Sequence, residues 1–274
     1  MGFDAGWLDL REPMDAVSRD PALLDAAADF LAGAPDPLAV DLGCGTGSSI
    51  RAFASRAPAG LRWRLVDNDP RLLAIAAERG GAAVETREMD LCEPDGVPLE
   101  GARLVTASAL LDLVSEAWIE ALARRVAAAG AGFHATLIYD GVMHWSPARP
   151  DDADIVAAFN AHQRRDKGFG PSLGPDAGRA AAAAFGRHGY RVQTGSSPWR
   201  IAAEGGAGGD ALHRDLVDGV AGAAAETGLA AAQAWGQARR AARGMSSCVV
   251  GHVDLLALPE AARAQSNRTS PPRP

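Results

Sequence analysis

The chain has 274 residues, is 47% hydrophobic, and carries 27 Lys and Arg against 34 Asp and Glu, for a formal charge of −7. That length holds one elaborated domain or two small ones whose core needs neither disulfide nor metal, and the composition excludes collagen, coiled coil and wholesale disorder. The acidic balance argues against a protein that lives by neutralising phosphates, so nucleic acid is not the expected partner.

Residues 7–32 read as one or two helices, with Trp7, Leu8 and Leu10 ahead of Pro13 as a first-turn residue. Leu23, Leu24, Ala27, Phe30 and Leu31 then recur at helical spacing up to Gly33. After the turn around Pro35 and Pro37, a short apolar run from Leu38 to Leu42 passes into Gly43-Cys-Gly-Thr-Gly47 and a helical stretch from Ser48 to about Ala57. The spacing predicts strands at 61–67, 83–86, 102–107 and 133–139. Helices are expected at 70–79 and from an N-capping Ser115 to Ala129, and an acidic turn at 89–92. Strands alternating with helices imply an α/β fold on a parallel sheet.

From 141 to 175 the pattern loosens around one short helix, 152–163, between a Pro-rich approach and a Gly/Pro-rich exit, and reads as a lid. A helix at 176–188, an extended stretch at 190–202 and a final strand at 248–258 follow. Between the last two, the Ala-rich, Pro-free segment 205–244 reads as one or two helices inserted in a hairpin. Residues 260–274 have no apolar run and are expected to be a disordered tail. The domain reading is therefore an N-terminal helical cover (1–35), a main domain (36–259) and the tail.

Cys44, Cys92 and Cys248 form no C-x-x-C pair, which suits a reducing cytoplasm. The opening residues show no basic segment followed by an apolar run, and no apolar stretch reaches membrane-spanning length. A soluble, cytoplasmic protein without membrane contact, monomer or homodimer, is the expectation.

The glycine turn carries the chemistry. A P-loop would end in Gly-Lys-Ser/Thr, whereas Gly47 is followed by Ser48 and Ser49. The dinucleotide fingerprint wants G-x-G-x-x-G, whereas Gly43, Gly45 and Gly47 fall at every second residue behind a strand-terminal Asp41, an acid that would repel a pyrophosphate. A ligand with a cation beside the turn fits better.

The run Val40-Asp-Leu-Gly-Cys-Gly-Thr-Gly47 resembles the first motif of the class I S-adenosylmethionine-dependent methyltransferases almost letter for letter. The resemblance covers residues 36–140 and implies a Rossmann-like sheet of seven strands, the last antiparallel, with an N-terminal helical cover and helical insertions. It implies S-adenosylmethionine as cofactor and S-adenosylhomocysteine as product. Asp41, Gly43, Cys44, Gly45 and Gly47 would hold the methionyl part. Asp67, with Asn68 beside it, would chelate the ribose hydroxyls, and Asp90 with Leu91 would meet the adenine. The opening Trp7-Leu-Asp-Leu-Arg-Glu-Pro13 also looks like that of uncharacterised bacterial members, and the insertion at 205–244 departs from the usual short hairpin.

Ligands in open α/β sheets bind outside the carboxyl ends of the strands, so acceptor contacts are sought after the fourth and fifth strands and on the lid. That selects Ser108, as a further cofactor contact, then Asp112, Tyr139, Asp140, His144, Trp145 and the 160–169 segment. His162, in a polar run bounded by glycines, is the first expectation for a proton acceptor, with His144 and Tyr139 as other catalytic candidates. Lys167, the single lysine, could meet an anionic acceptor. Arg11 is expected to fold over the cofactor and pair with its carboxylate, while His134 and His252 read as packing residues. No metal is expected, because Tyr139-Asp140-Gly141 stands where the metal-dependent relatives carry an Asp-Asn pair. The expected reaction is methyl transfer to an oxygen or nitrogen of a small molecule. An RNA or protein methyltransferase and a cofactor-binding protein without turnover are the alternatives.

Overall fold

The computed structural model describes residues 4–202, 206–242 and 244–260. The chain opens with α1 (Ala5–Ser18), capped by the Asp4 carboxylate on Trp7 N, and α2 (Pro21–Ala32), capped by Asp20 on Ala22 N and Leu23 N. Pro13 does not start a helix as expected but lies inside α1. The cap at Asp4 and the packing of Trp7, Leu10 and Met14 on one apolar cluster carry the helix through it.

The sheet contains β1 (Leu38–Leu42), β2 (Arg62–Asp67), β3 (Val84–Glu88), β4 (Leu104–Ser108), β5 (Gly132–Ser146), β6 (Tyr190–Ser196), β7 (Trp199–Ile201) and β8 (Ser247–Pro259). Its order is β3-β2-β1-β4-β5-β8-β6, with β7 paired to β8. The first five strands run parallel, and β8 is antiparallel to β5, β6 and β7. This is the Rossmann-like order of the class I fold, with β7 added beside the start of β8. Every residue of β1 is buried, as a central strand covered on both faces requires.

Alternate residues of the strands feed two cores. On one face Val40, Leu42, Val105 and Phe133 pack under α5 (Glu116–Ala129) and α7 (Ala177–Arg187). On the other, Ala39, Leu65, Leu104 and Leu256 pack under α2, α3 (Ser48–Phe53) and α4 (Pro70–Gly80). A third core joins α1, α6 (Asp152–Gln163), α8 (Gly206–Glu226) and α9 (Ala232–Ala241) to the outer part of the sheet through Trp145, Ile155, Trp199, Val217 and Trp235.

Two expectations change. β5 does not stop at Tyr139 but runs to Ser146, so the first residues of the expected lid are sheet. The pairing with β8 absorbs irregularities between Ala135 and Ile138 and between Tyr139 and Met143, which bend the strand and let its far half enter the third core. The extended stretch at 190–202 is two strands broken at Ser197, whose N–H donates to His252 O at 2.9 Å. The expected tail, beyond Glu260, lies outside the described residues, as do residues 205 and 243 of the insertion. Among the described residues no helix is long and apolar enough to cross a membrane.

Candidate active site

The glycine turn explains its own composition. Gly43, Gly45 and Gly47 all sit at positive φ (62°, 54° and 83°), where a side chain is strained, and a Cβ on Gly45 would stand 3.0 Å from Leu8 Cδ1 of the covering helix. The turn is tied to the end of β2, because Asp67 Oδ2 accepts from Gly45 N at 2.9 Å while Oδ1 accepts from Asp69 N at 3.0 Å. Each carboxylate oxygen keeps a further lone pair, so Asp67 can still take a diol. Leu91 is buried and approaches Gly43, and its carbonyl accepts from Trp118 Nε1 at 2.6 Å. Asp90 and Asn68 are exposed beside them, Asp90 bonded to Cys92 N at 2.9 Å, and the Cys92 side chain together with this backbone bond holds its carboxyl below the usual range. The three separate sequence motifs therefore meet at one place.

Next to the turn lies a cleft of about 410 Å³, counting space open to solvent, lined by Asp41, Gly43, Cys44 and Gly45 below and by Leu8, Arg11 and Asp15 of α1 above. Ser48 and Ser108 close its sides. Asp41 is 1% exposed, and its Oδ1 accepts from Ser49 Oγ at 2.9 Å and Thr106 Oγ1 at 2.6 Å. Burial outweighs those bonds and raises its pKa to about 6. The end of β4 is strained there. Ala109 has φ 50° and Leu137, on the adjoining strand, φ 57°, each held by a bond from its N–H, to Thr136 O at 2.9 Å and to Asp254 Oδ1 at 2.7 Å.

Arg11 reaches the cleft, but its guanidinium is engaged by Asp15 through two bonds, Nε to Oδ2 at 2.9 Å and Nη2 to Oδ1 at 3.1 Å, and lies over the Trp199 ring at 4.9 Å. Trp199 Nε1 in turn donates to Asp15 Oδ1 at 2.9 Å. Asp15 follows Arg11 by one helical turn and could have been read as its partner; Trp199 and the buried Arg19 had no local signal.

The acceptor candidates divide. Asp112, three residues beyond Ala109, has a buried Oδ1 without a hydrogen-bond partner, lies within the fields of Arg11 and Lys167, and has its pKa raised by burial to about 6. Tyr139 is buried, with its hydroxyl donating to Asn160 Oδ1 at 2.7 Å and burial raising its pKa. His162 has both ring nitrogens engaged, Nε2 with Glu226 Oε2 at 2.9 Å and Nδ1 with Lys167 Nζ at 3.3 Å. The group ties α6 to the end of α8, and Lys167 has its pKa lowered by burial. His144 is exposed on the far half of β5, opposite Val249, and Asp140 is exposed, with Oδ1 accepting from Val142 N at 3.0 Å. Trp145 is buried in the third core against Trp235 at 5.0 Å, because β5 runs on as strand and carries it away from the cleft. His134 and His252 are buried and their pKa values are pushed down to about 3, so both stay neutral.

A methyltransferase domain model matches residues 39–130. Among solved structures, the YcgJ protein from Bacillus subtilis aligns over 88% of this chain and 100% of its own, at 15% identity and a TM-score of 0.51, a likeness of fold. A SAM-dependent methyltransferase from Geobacter sulfurreducens in complex with S-adenosyl-L-homocysteine aligns over 88% and 92%, at 17% identity and a TM-score of 0.45. Geranyl diphosphate C-methyltransferase from Streptomyces coelicolor aligns over 86% and 80%, at 17% identity and a TM-score of 0.42. No curated protein sequence matches the chain. The bare glycine cradle, the buried carboxylates of Asp41 and Asp67 and the strand order suit a cationic nucleoside ligand. Residues 39–130 carry a methyltransferase domain, on a sheet with the strand order of the class I S-adenosylmethionine-dependent fold.

Proposed function

We propose that the protein methylates an oxygen or nitrogen of a small molecule, with Asp112 as the residue that receives the acceptor's proton. The observation carrying this reading is the buried, unpartnered Oδ1 of Asp112, three residues beyond Ala109 of the cleft wall and within the field of Arg11. A buried polar atom left without a partner is costly, and a ligand O–H or N–H donor would satisfy it. The sulfonium of S-adenosylmethionine supplies an activated methyl group when bound. Transfer is an in-line displacement, so the chain's part is to align the acceptor, exclude water and take up a proton.

A carboxyl with a pKa of about 6 is ionised at neutral pH yet still basic enough to accept a proton. His162 is less suited, because Lys167 Nζ occupies the lone pair that a base would use and Glu226 holds the opposite nitrogen. Trp7, Leu10, Phe159 and Leu216, partly buried on α1, α6 and α8, pack against the same core as Ala109 of the cleft wall. An acceptor flanked by three helices is more readily a small molecule than a folded RNA or protein.

The test uses radiolabelled S-adenosylmethionine with cell extract separated into small-molecule, RNA and protein fractions. Label is expected in the small-molecule fraction. Asp112→Asn should lower turnover by roughly 10²–10⁴-fold while S-adenosylhomocysteine affinity stays constant. Label confined to RNA or protein would overturn the acceptor class, and wild-type turnover in Asp112→Asn would overturn the role of Asp112.

A further inference from the structure

Arg19 closes α1 and turns its side chain inward, where only 6% of the residue remains exposed. Its Nη2 donates to Ser48 Oγ at 3.2 Å and to Ser108 Oγ at 3.3 Å. These two serines stand on different walls of the cleft, one at the exit of the glycine turn and one at the end of β4, and both line it. The buried charge is balanced at a distance by Asp15, Asp254 and Asp41.

A serine hydroxyl has one proton to donate and two lone pairs to accept with. Ser108 Oγ also accepts from Thr136 Oγ1 at 3.1 Å, so both its lone pairs are filled and only its proton is left to use. Ser48 Oγ likewise receives Arg19 and keeps its proton. A guanidinium cannot accept a hydrogen bond, so neither proton can turn back toward it. The outcome is a pair of hydroxyl donors, each polarised by one shared cation, on the walls of the same cleft. Arg11, the other guanidinium there, already gives Nε and one Nη2 proton to Asp15.

We infer that Ser48 and Ser108 bind the carboxylate of the methionyl group, and that Arg19 is the positioning residue that sets both hydroxyls as donors without touching the ligand. Discrimination for a carboxylate-bearing cofactor then rests on this trio rather than on Arg11.

Titration calorimetry with two ligands tests it: S-adenosylhomocysteine, and its analogue lacking only the carboxylate. The wild-type protein should bind the first roughly 10- to 100-fold more tightly, the range expected for hydrogen bonds to a charged group. Arg19→Met should remove most of that preference while leaving affinity for the analogue within about two-fold, and Arg19→Lys should restore part of it. If Arg19→Met fails to fold, the Ser48→Ala/Ser108→Ala variant keeps α1 and its guanidinium and should lose the preference in the same way. Equal weakening of both ligands, a preference that survives the serine changes, or its loss in Arg11→Met instead would overturn the inference.

Discussion

Asp41 carries a cost that a ligand can relieve. Its carboxyl is buried behind the glycine turn, where two hydroxyl donors fall short of what water would supply, and its pKa rises from 3.8 to about 6. The folded protein therefore holds this proton more tightly than the unfolded chain does. Asp41 costs nothing below about pH 4, and its penalty grows as pH rises through the interval to a plateau above about pH 6, at most about 3 kcal/mol. Asp41→Asn keeps an oxygen for Ser49 and Thr106 and has no charge to bury. In the absence of cofactor, the variant's stability relative to wild type should rise between pH 4 and pH 7, measured by urea denaturation at each pH. A difference independent of pH would show that Asp41 does not titrate in that range. With S-adenosylhomocysteine bound the difference should shrink, because the ammonium of the ligand offsets the same charge.

At the scale of elements, α1 is anchored at its C-terminal end by the buried Asp15 and Arg19, and its N-terminal half is held over the cleft by fewer contacts. Leu8 stands over Gly45, and Trp7 meets Trp199 with ring centroids 6.5 Å apart. Two ion pairs latch its polar side, Asp9 with Arg79 at 2.6 Å and Glu12 with Arg51, which also donates to Thr46 O of the glycine turn at 2.9 Å. Both pairs are partly exposed, with Arg79 and Asp9 side chains 36% and 47% accessible, so each is worth no more than about 1 kcal/mol and is weakened by salt. An N-terminal half held this way can lift while the sheet stays folded. The Asp9→Asn/Glu12→Gln variant should release S-adenosylhomocysteine faster at low ionic strength, by up to about 30-fold if both pairs reach that ceiling, and stopped-flow measurements should show the difference vanish near about 0.5 M salt. Unchanged release at low salt would mean that α1 is not the gate.

For the whole molecule, the insertion is joined to the sheet through a buried charge. Arg239 of α9 is fully enclosed and makes two 2.6 Å bonds to Asp152 at the start of α6. It also donates to Pro147 O at 2.8 Å and lies 5.2 Å from the centre of the Trp145 ring. Trp235 Nε1 shares Asp152 Oδ1 at 2.7 Å. Removing one partner leaves the other charge without compensation, so Arg239→Met should cost roughly 3–5 kcal/mol of unfolding free energy in urea, while Asp152→Leu/Arg239→Met should recover much of it. If the double variant is as unstable as the single one, packing rather than charge governs the joint.

The parallel half of the sheet was legible in the sequence because its signals are local. Leu38 to Leu42 is a short apolar run ended by glycines at positive φ, and Ser115 stands where a helix cap belongs. Gly43, Gly45, Gly47 and Asp67, which the resemblance implies for the cofactor, could be placed side by side for the same reason, since each sits at a strand end that the apolar runs already locate. What lies beyond Tyr139 was not legible. β5 continues to Ser146 because β8, more than a hundred residues later, pairs with it, and Asp254 from that distant strand binds Leu137 N and Asp20 N. His162 has the composition of a base, yet Glu226 on the insertion and Lys167 on its own loop occupy its nitrogens. The sequence by itself determined the turn, the Ser115 cap and the strand ends that frame the cleft, because each depends on neighbours within a few residues. Only the tertiary structure decided which polar side chains at the acceptor side stay without a partner, because a hydrogen bond between distant segments is settled by packing, and no local pattern encodes it.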